Sequence, residues 1–130
     1  MSYSLNIAVI YTLSIGSNEH REENLSLART RLKEWFPDIR FSTEMETVPL
    51  YFFHSPLFSN QMARFASAKS AVEITAYLKA IEREAGRTPD EKAREIVRLD
   101  IDLLMCDNTV YRPDDLRRDY IRRGLEELEK

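Results

Sequence analysis

Two carboxylates one residue apart, Asp100 and Asp102, carry the sharpest chemical signal in this chain. They sit in a stretch where Leu99, Ile101, Leu103 and Met105 alternate with Arg98, Asp100, Asp102 and Leu104. That period predicts a strand with one apolar face, and it puts both carboxylates on the other face with Cβ atoms roughly 6 to 7 Å apart. Carboxylates at that separation can share one or two Mg²⁺ ions, which take oxygen ligands and leave positions for phosphate oxygens and water. An isolated Asp-x-Asp is more often a pair of solvent-facing residues. Here the continuous apolar face behind the pair seats it on a rigid element.

Basic residues precede the pair. Arg87 follows Gly86, and Lys92, Arg94 and Arg98 are spread over the next positions, interspersed with Asp90, Glu91 and Glu95. Arginine suits bidentate contacts to phosphate, so this stretch is a candidate loop over a triphosphate, with a solvated mixed-charge loop as the plainer reading. A second cluster is aromatic: Tyr51, Phe52, Phe53 and His54 lie between Pro49 and Pro56, followed by Phe58 and Asn60. Such a group can stack a flat heterocycle and hydrogen-bond its edge, although aromatics of this kind more often belong to a core. Gly16-Ser17-Asn18 resembles a phosphate-binding turn only loosely, since it lacks the further glycines and lysine of a P-loop. Cys106, the single cysteine, reads as a small buried hydrophobe.

The elements that must position these residues follow from periodicity. Ile7, Val9, Tyr11, Leu13 and Ile15 alternate as a first strand, and Leu25, Ala28, Leu32 and Trp35 or Phe36 recur at helical spacing until Pro37. Ile39, Phe41, Thr43, Met45 and Thr47 predict a second strand to about Pro49. A weakly patterned third extends from Asn60 to Ala68. Val72, Ile74, Leu78, Ile81 and Ala85 mark a second helix, with Gly86 as its C-cap candidate. The Asp100 strand follows a polar loop from Thr88 to Val97. Beyond a turn at Asp107-Asn108, Arg112-Pro113 opens a short helix and a charged helical tail ends the chain. Strand, helix, strand, strand, helix, strand is the split βαβ order of α+β, ferredoxin-like folds, and it predicts an antiparallel-dominated sheet with the two long helices on one face.

Composition bounds the rest. The chain has 130 residues, 43% of them hydrophobic, which fits one domain over residues 1–130 with one core. Its 19 basic and 22 acidic residues leave a net charge of -3, which argues against nucleic acid or an anionic membrane as a partner. The longest apolar run, Ile7 to Ile15, is far short of the roughly twenty residues that span a bilayer, and there is no signal-peptide pattern. With a lone cysteine, a soluble cytoplasmic protein is expected.

In this order, the segments resemble the 6-hydroxymethyl-7,8-dihydropterin pyrophosphokinases. The pieces that carry the resemblance are Leu13 to Asn18 with Asn24-Leu25, Glu46 to Leu50, Phe58-Ser59-Asn60, Ile81-Glu82 with Gly86-Arg87, Leu99 to Leu104, and Arg112 to Leu116. It implies a monomer that moves the terminal diphosphate of Mg-ATP onto the hydroxymethyl group of a pterin, giving AMP, with two Mg²⁺ ions. Carried over residue by residue, it implies that Asp100 and Asp102 bind magnesium and that Glu82 and Arg87 bind ATP. Lys92 and Arg98 are the further candidates for ATP in the loop, and Arg87 and Arg98 join the two aspartates as catalytic candidates. Phe58 and Asn60 are implied to hold the pterin, with Thr47 and Leu50 lending backbone groups. Leu125 falls where the family has a second stacking aromatic.

The departures are specific. Where the family carries Gly-Pro-Arg, this chain reads Glu95-Ile96-Val97, with Arg98 one place later. A one-residue shift in an extended segment turns a side chain to the opposite face. Tyr51-Phe52-Phe53 replaces a loop-opening glycine, a family histidine is absent from Arg117-Arg118-Asp119-Tyr120, and typical members continue past the position of Lys130. Two functions therefore stand side by side: a diphosphotransferase, and an impaired paralogue that binds pterin or nucleotide without turning it over.

Overall fold

The computed structural model describes residues 7–49 and 57–129. Strand β1 (Val9–Ser17) leads to helix α1 (Arg21–Trp35), the short strands β2 (Arg40–Phe41) and β3 (Met45–Thr47), and strand β4 (Phe58–Ser67). Helix α2 (Ala71–Glu84), a 3₁₀ turn (Glu91–Arg94), β5 (Asp100–Cys106), β6 (Thr109–Val110), a second 3₁₀ turn (Asp115–Arg117) and α3 (Asp119–Glu129) follow.

The sheet runs β2-β4-β1-β5-β6, with β3 also on β4 and every pairing antiparallel. Two split βαβ units interlock in it: β4 lies between β1 and β2, and β1 lies between β4 and β5. This is the α+β, ferredoxin-like plan read from the sequence.

Local chemistry explains the boundaries. Proline disfavours helical geometry in the residue before it, so α1 ends ahead of Pro37 with Phe36 at φ -132°. Helix α2 opens on a reciprocal cap: the Glu73 amide donates to Ser70 Oγ at 3.2 Å, and the Ser70 amide donates to Glu73 Oε1 at 3.3 Å. Its end is released by Gly86 at φ +92°, a left-handed conformation that glycine adopts without strain.

Helices α1 and α2 cover one sheet face. Leu25, Leu32, Ile74 and Ile81 pack there on Leu13, Ile15, Phe65 and Ile101. The opposite face holds a smaller core of Met62, Leu104, Ile121 and Leu128 under α3. The charged tail is therefore amphipathic and docks rather than standing in solvent.

The structure corrects three readings. The second strand is two pieces, because the pairing with β4 shifts by one residue between Phe41↔Ala63 and Met45↔Asn60. Ser42 fills the break by donating from its amide to the Met62 carbonyl and accepting from the Met62 amide on its hydroxyl, both at 2.9 Å. Val72 is not core but 80% exposed, since Ile74, Leu78 and Ile81 already turn the apolar stripe of α2 inward. Met105 does not continue the row of Leu103. Thr12 pairs with Met105 but Leu13 with Leu103, so Leu104 is an extra residue on β5, and this bulge turns Met105 toward α3.

Gly124 marks the closest approach of α3 to the sheet. A Cβ there would lie 2.4 Å from Met62 Cγ and 3.1 Å from Met62 Cβ, both on a fully buried side chain. Alanine in place of a helix-interior glycine usually gains about 1 kcal/mol, while overpacking costs about 1–3 kcal/mol. Gly124→Ala should therefore lower stability by up to about 2 kcal/mol in urea unfolding. A stabilised variant would mean that α3 does not pack at this point.

Candidate active site

The register of the sheet builds the site. On β1, Gly16 stands opposite Asp100 of β5 on one side and Asn60 of β4 on the other, and Ser14 stands opposite Asp102 and Met62. The side chains that share a face with the carboxylates are thus the two small ones on β1. They leave a floor between Asp100 and Asn60, whose strands are about 10 Å apart across β1. The cleft over this floor has a volume of about 280 Å³, and Gly16, Phe58, Asn60, Lys92, Asp100 and Asp102 are among the residues that line it.

Gly16 is required here for room. A Cβ on it would come within 3.1 Å of Asn60 Oδ1. Asn60 itself is held by its Nδ2, which donates to Thr47 Oγ1 at 2.6 Å, so its amide oxygen faces the floor.

Asp100 and Asp102 are each met by an arginine. Arg87 Nη1 lies 2.9 Å from Asp100 Oδ1 and 3.2 Å from Glu82 Oε2, and it donates to the Leu99 carbonyl at 3.1 Å. Arg112 Nη1 lies 3.7 Å from Asp102 Oδ1, while its Nε donates to Asp115 Oδ2 at 2.6 Å. Asp102 is the less exposed carboxylate, at 23% of its side chain against 39% for Asp100. Burial first, and then the Asp100 charge, pushes Asp102 up to about 7, against the lowering pull of Arg112. Burial also raises Glu82, against the Ile101 amide that donates to its Oε2 at 2.8 Å and against Arg87.

Among the described residues, no group of three or more His, Cys, Asp or Glu is gathered as a metal cage. Asp100 and Asp102 nevertheless fit Mg²⁺ in the way the ion binds with phosphates. Two hard oxygen donors share one wall, and a divalent cation there would offset both the burial and the Asp100 charge that raise Asp102.

Thr47, Phe58, Asn60, Lys92, Asp100 and Asp102 come together as cleft lining. Glu82 and Arg87 stand behind the carboxylates and reach the site through Asp100 and the backbone of β5. Arg98 turns away: its Nε donates to Glu91 Oε2 at 2.7 Å, and its side chain lies against Gly86. Leu125 packs with the α3 core and is not among the described lining residues, whereas Tyr120 and Ile121 are. Leu50, with the aromatic run up to Pro56, lies outside the described residues.

Gly16-Ser17-Asn18 is not a phosphate turn. Ser17 Oγ donates to the Glu19 carbonyl at 3.0 Å, and Asn18 is spent on the loop before β5. Arg112 and Asp115 were missed by reading along the sequence. The turn at Asp107-Asn108 held the clue, because the hairpin pairs Cys106 with Thr109 and Met105 with Val110, and its return carries Arg112 back beside Asp102.

The sequence profile of the 7,8-dihydro-6-hydroxymethylpterin-pyrophosphokinase (HPPK) family matches residues 12–130. The chain belongs to the HPPK family. No curated protein sequence matches it. The HPPK match spans β1 from Thr12 through α3, so it covers both walls of the cleft and both sheet faces.

The raised Asp102 carries a sign. Between its ordinary value near 3.8 and about 7, the folded protein holds a proton that the unfolded chain has lost, so stability falls as pH rises through that window. Asp102→Asn removes the effect. The ligand-free variant should melt higher than wild type at pH 8, by the equivalent of at least one pKa unit or about 1.4 kcal/mol, with the gap closing toward pH 4.5. A lower melting temperature at pH 8 would show that ionised Asp102 stabilises the fold. The floor is tested separately: if the cleft takes a pterin as the family's does, Gly16→Ala should weaken its binding in fluorescence titration, because the added Cβ crowds Asn60 Oδ1, and unchanged binding would place the ligand away from this floor.

Proposed function

We propose that this chain transfers the terminal diphosphate of ATP to the hydroxymethyl group of 6-hydroxymethyl-7,8-dihydropterin, giving AMP. One observation carries the reading within the HPPK family. Asp102 and Arg112 line two clefts at once: the one over Gly16, and a second of about 480 Å³ beside α2 and β5 that is lined by Leu78, Lys79, Leu103 and Tyr111. Two compartments that meet at Asp102 and Arg112 suit two substrates that must be brought end to end.

In this reading the pterin lies in the first cleft, with Phe58 on one face of the ring and the Asn60–Thr47 pair at its polar edge. The nucleoside lies in the second cleft, and the phosphates cross between the two past Asp100 and Asp102. Mg²⁺ held by these carboxylates, as one ion or two, would neutralise phosphate charge and polarise the phosphoryl oxygens. Arg87 holds Asp100 in place from behind, with Glu82 fixing both Arg87 and the Ile101 amide. Lys92 supplies positive charge at the cleft wall. The bond that forms joins the hydroxymethyl oxygen to the β-phosphorus. The bond that breaks joins that phosphorus to the α–β bridging oxygen, which leaves with AMP. The protein's part is alignment and charge stabilisation.

A second reading, a pterin- or nucleotide-binding module without turnover, is favoured by the engagement of Arg98 with Glu91, which leaves the loop with one cation fewer for phosphate. AMP release from Mg-ATP with and without the pterin separates the two. The transferase reading expects AMP that requires both pterin and Mg²⁺, with Asp100→Asn and Asp102→Asn each slowing it about 100-fold. Pterin binding without pterin-dependent AMP in wild type would leave the binding module.

A further inference from the structure

The loop from Arg87 to Leu99 contains a buried acid to which the proposed reaction gives no part. Glu91 is only 3% exposed, although it opens a 3₁₀ turn in a polar stretch. Its carboxylate is saturated from two directions. Oε1 accepts from the Thr88 amide at 3.0 Å, and Oε2 accepts from Arg98 Nε at 2.7 Å. Its own carbonyl accepts from the Ile96 amide at 2.9 Å. One residue thus binds the start, the end and the final arginine of the loop.

The same loop is fixed from the sheet by Asn18. The Asn18 amide donates to the Val97 carbonyl at 2.9 Å, the Val97 amide donates to Asn18 Oδ1 at 2.7 Å, and Asn18 Nδ2 donates to the Glu95 carbonyl at 2.8 Å. Between the two attachments, Glu95 takes a left-handed conformation at φ +60°, a backbone state that a non-glycine residue holds only when its surroundings fix it.

Lys92 is the next residue after Glu91 on the 3₁₀ turn. Successive side chains on such a turn point about a third of a circle apart. With Glu91 turned into the loop, Lys92 is turned to the cleft wall that it lines. The orientation of the one follows from the burial of the other.

We propose that Glu91 and Arg98 form an internal staple that sets the shape of this loop and thereby positions Lys92 at the cleft. Arg98 is a positioning residue that acts through Glu91 and does not touch phosphate. An unpaired carboxylate at this depth is costly, so removing either partner releases the same structure. This proposal rests on the reading that the ATP phosphates pass the wall of the first cleft only for the role of Lys92. The staple itself consists of the protein's own contacts.

The test is a double-mutant cycle on the full chain with Arg98→Ala, Glu91→Ala and both together. Hydrogen exchange is followed first, with no nucleotide present, at the Ile96 and Val97 amides. Each single variant should speed exchange there by tenfold or more, and the double variant should go no further than either single. Unchanged exchange in Arg98→Ala, or losses that multiply in the double variant, would overturn the staple.

Calorimetry with Mg-ATP is the second readout. Arg98→Ala should weaken binding several-fold in wild type and have no effect in the Glu91→Ala background. Equal weakening in both backgrounds would make Arg98 a direct phosphate ligand. If Glu91→Ala does not fold, Glu91→Gln takes its place: it keeps the volume and the Thr88 contact, and it must still remove most of the Arg98→Ala effect. If Mg-ATP does not bind to wild type at all, the nucleotide reading fails and the staple is judged on exchange alone.

Discussion

The burial of Asp102 beside a second carboxylate, Asp100, is the constraint around which the rest of this structure is arranged. Two carboxylates on one strand face, one of them largely buried, cannot both be comfortably ionised without cations nearby. The fold answers with Arg87 behind Asp100 and Arg112 beside Asp102. The answer is partial, because burial first and the Asp100 charge second still push Asp102 up to about 7 against Arg112. A site left in that state is poised to take up positive charge together with the phosphates that such charge accompanies.

The elements around the pair are arranged to keep it there. Glu82 on α2 accepts from the Ile101 amide, between the two aspartates, and also meets Arg87, so helix and strand are joined at the site by one buried carboxylate. Gly16 and Ser14 on β1 keep the neighbouring row low, which opens the floor toward Asn60. Helix α3 closes the far side, and its approach depends on Gly124 lying flat on Met62. Each of these contacts is a packing or hydrogen-bond requirement of the fold, and together they define the cleft.

What the sequence discloses about this arrangement follows the strength of its periodic signal. The alternations in β1 and β5, the stripe of α1 and the cap of α2 are regular, so the ferredoxin-like order was legible, and with it the Asp100 and Asp102 pair on one face. One-residue irregularities were not. The bulge at Leu104 and the register shift near Ser42 interrupt no apolar run in the sequence, so they appear only once the strands are paired and the burial along β5 breaks its alternation at Leu104. Arg112 entered the site through a hairpin return, which becomes visible only when register is counted across the turn. Leu125 and Tyr120 show the same limit from the other side, since a helix that docks through Ile121, Gly124 and Leu128 chooses which neighbours reach the cleft.

We propose that Asp100 and Asp102 form half of a metal site whose other half is phosphate. Electron paramagnetic resonance of Mn²⁺, as a stand-in for Mg²⁺, measures this directly by titrating protein-bound metal with and without ATP. Mn²⁺ alone should bind weakly, because each carboxylate is already met by an arginine. Binding should be at least tenfold tighter when ATP is present, and that gain should be lost in Asp102→Asn. Mn²⁺ binding that is equally tight without ATP, or an ATP-dependent gain that survives in Asp102→Asn, would contradict this proposal.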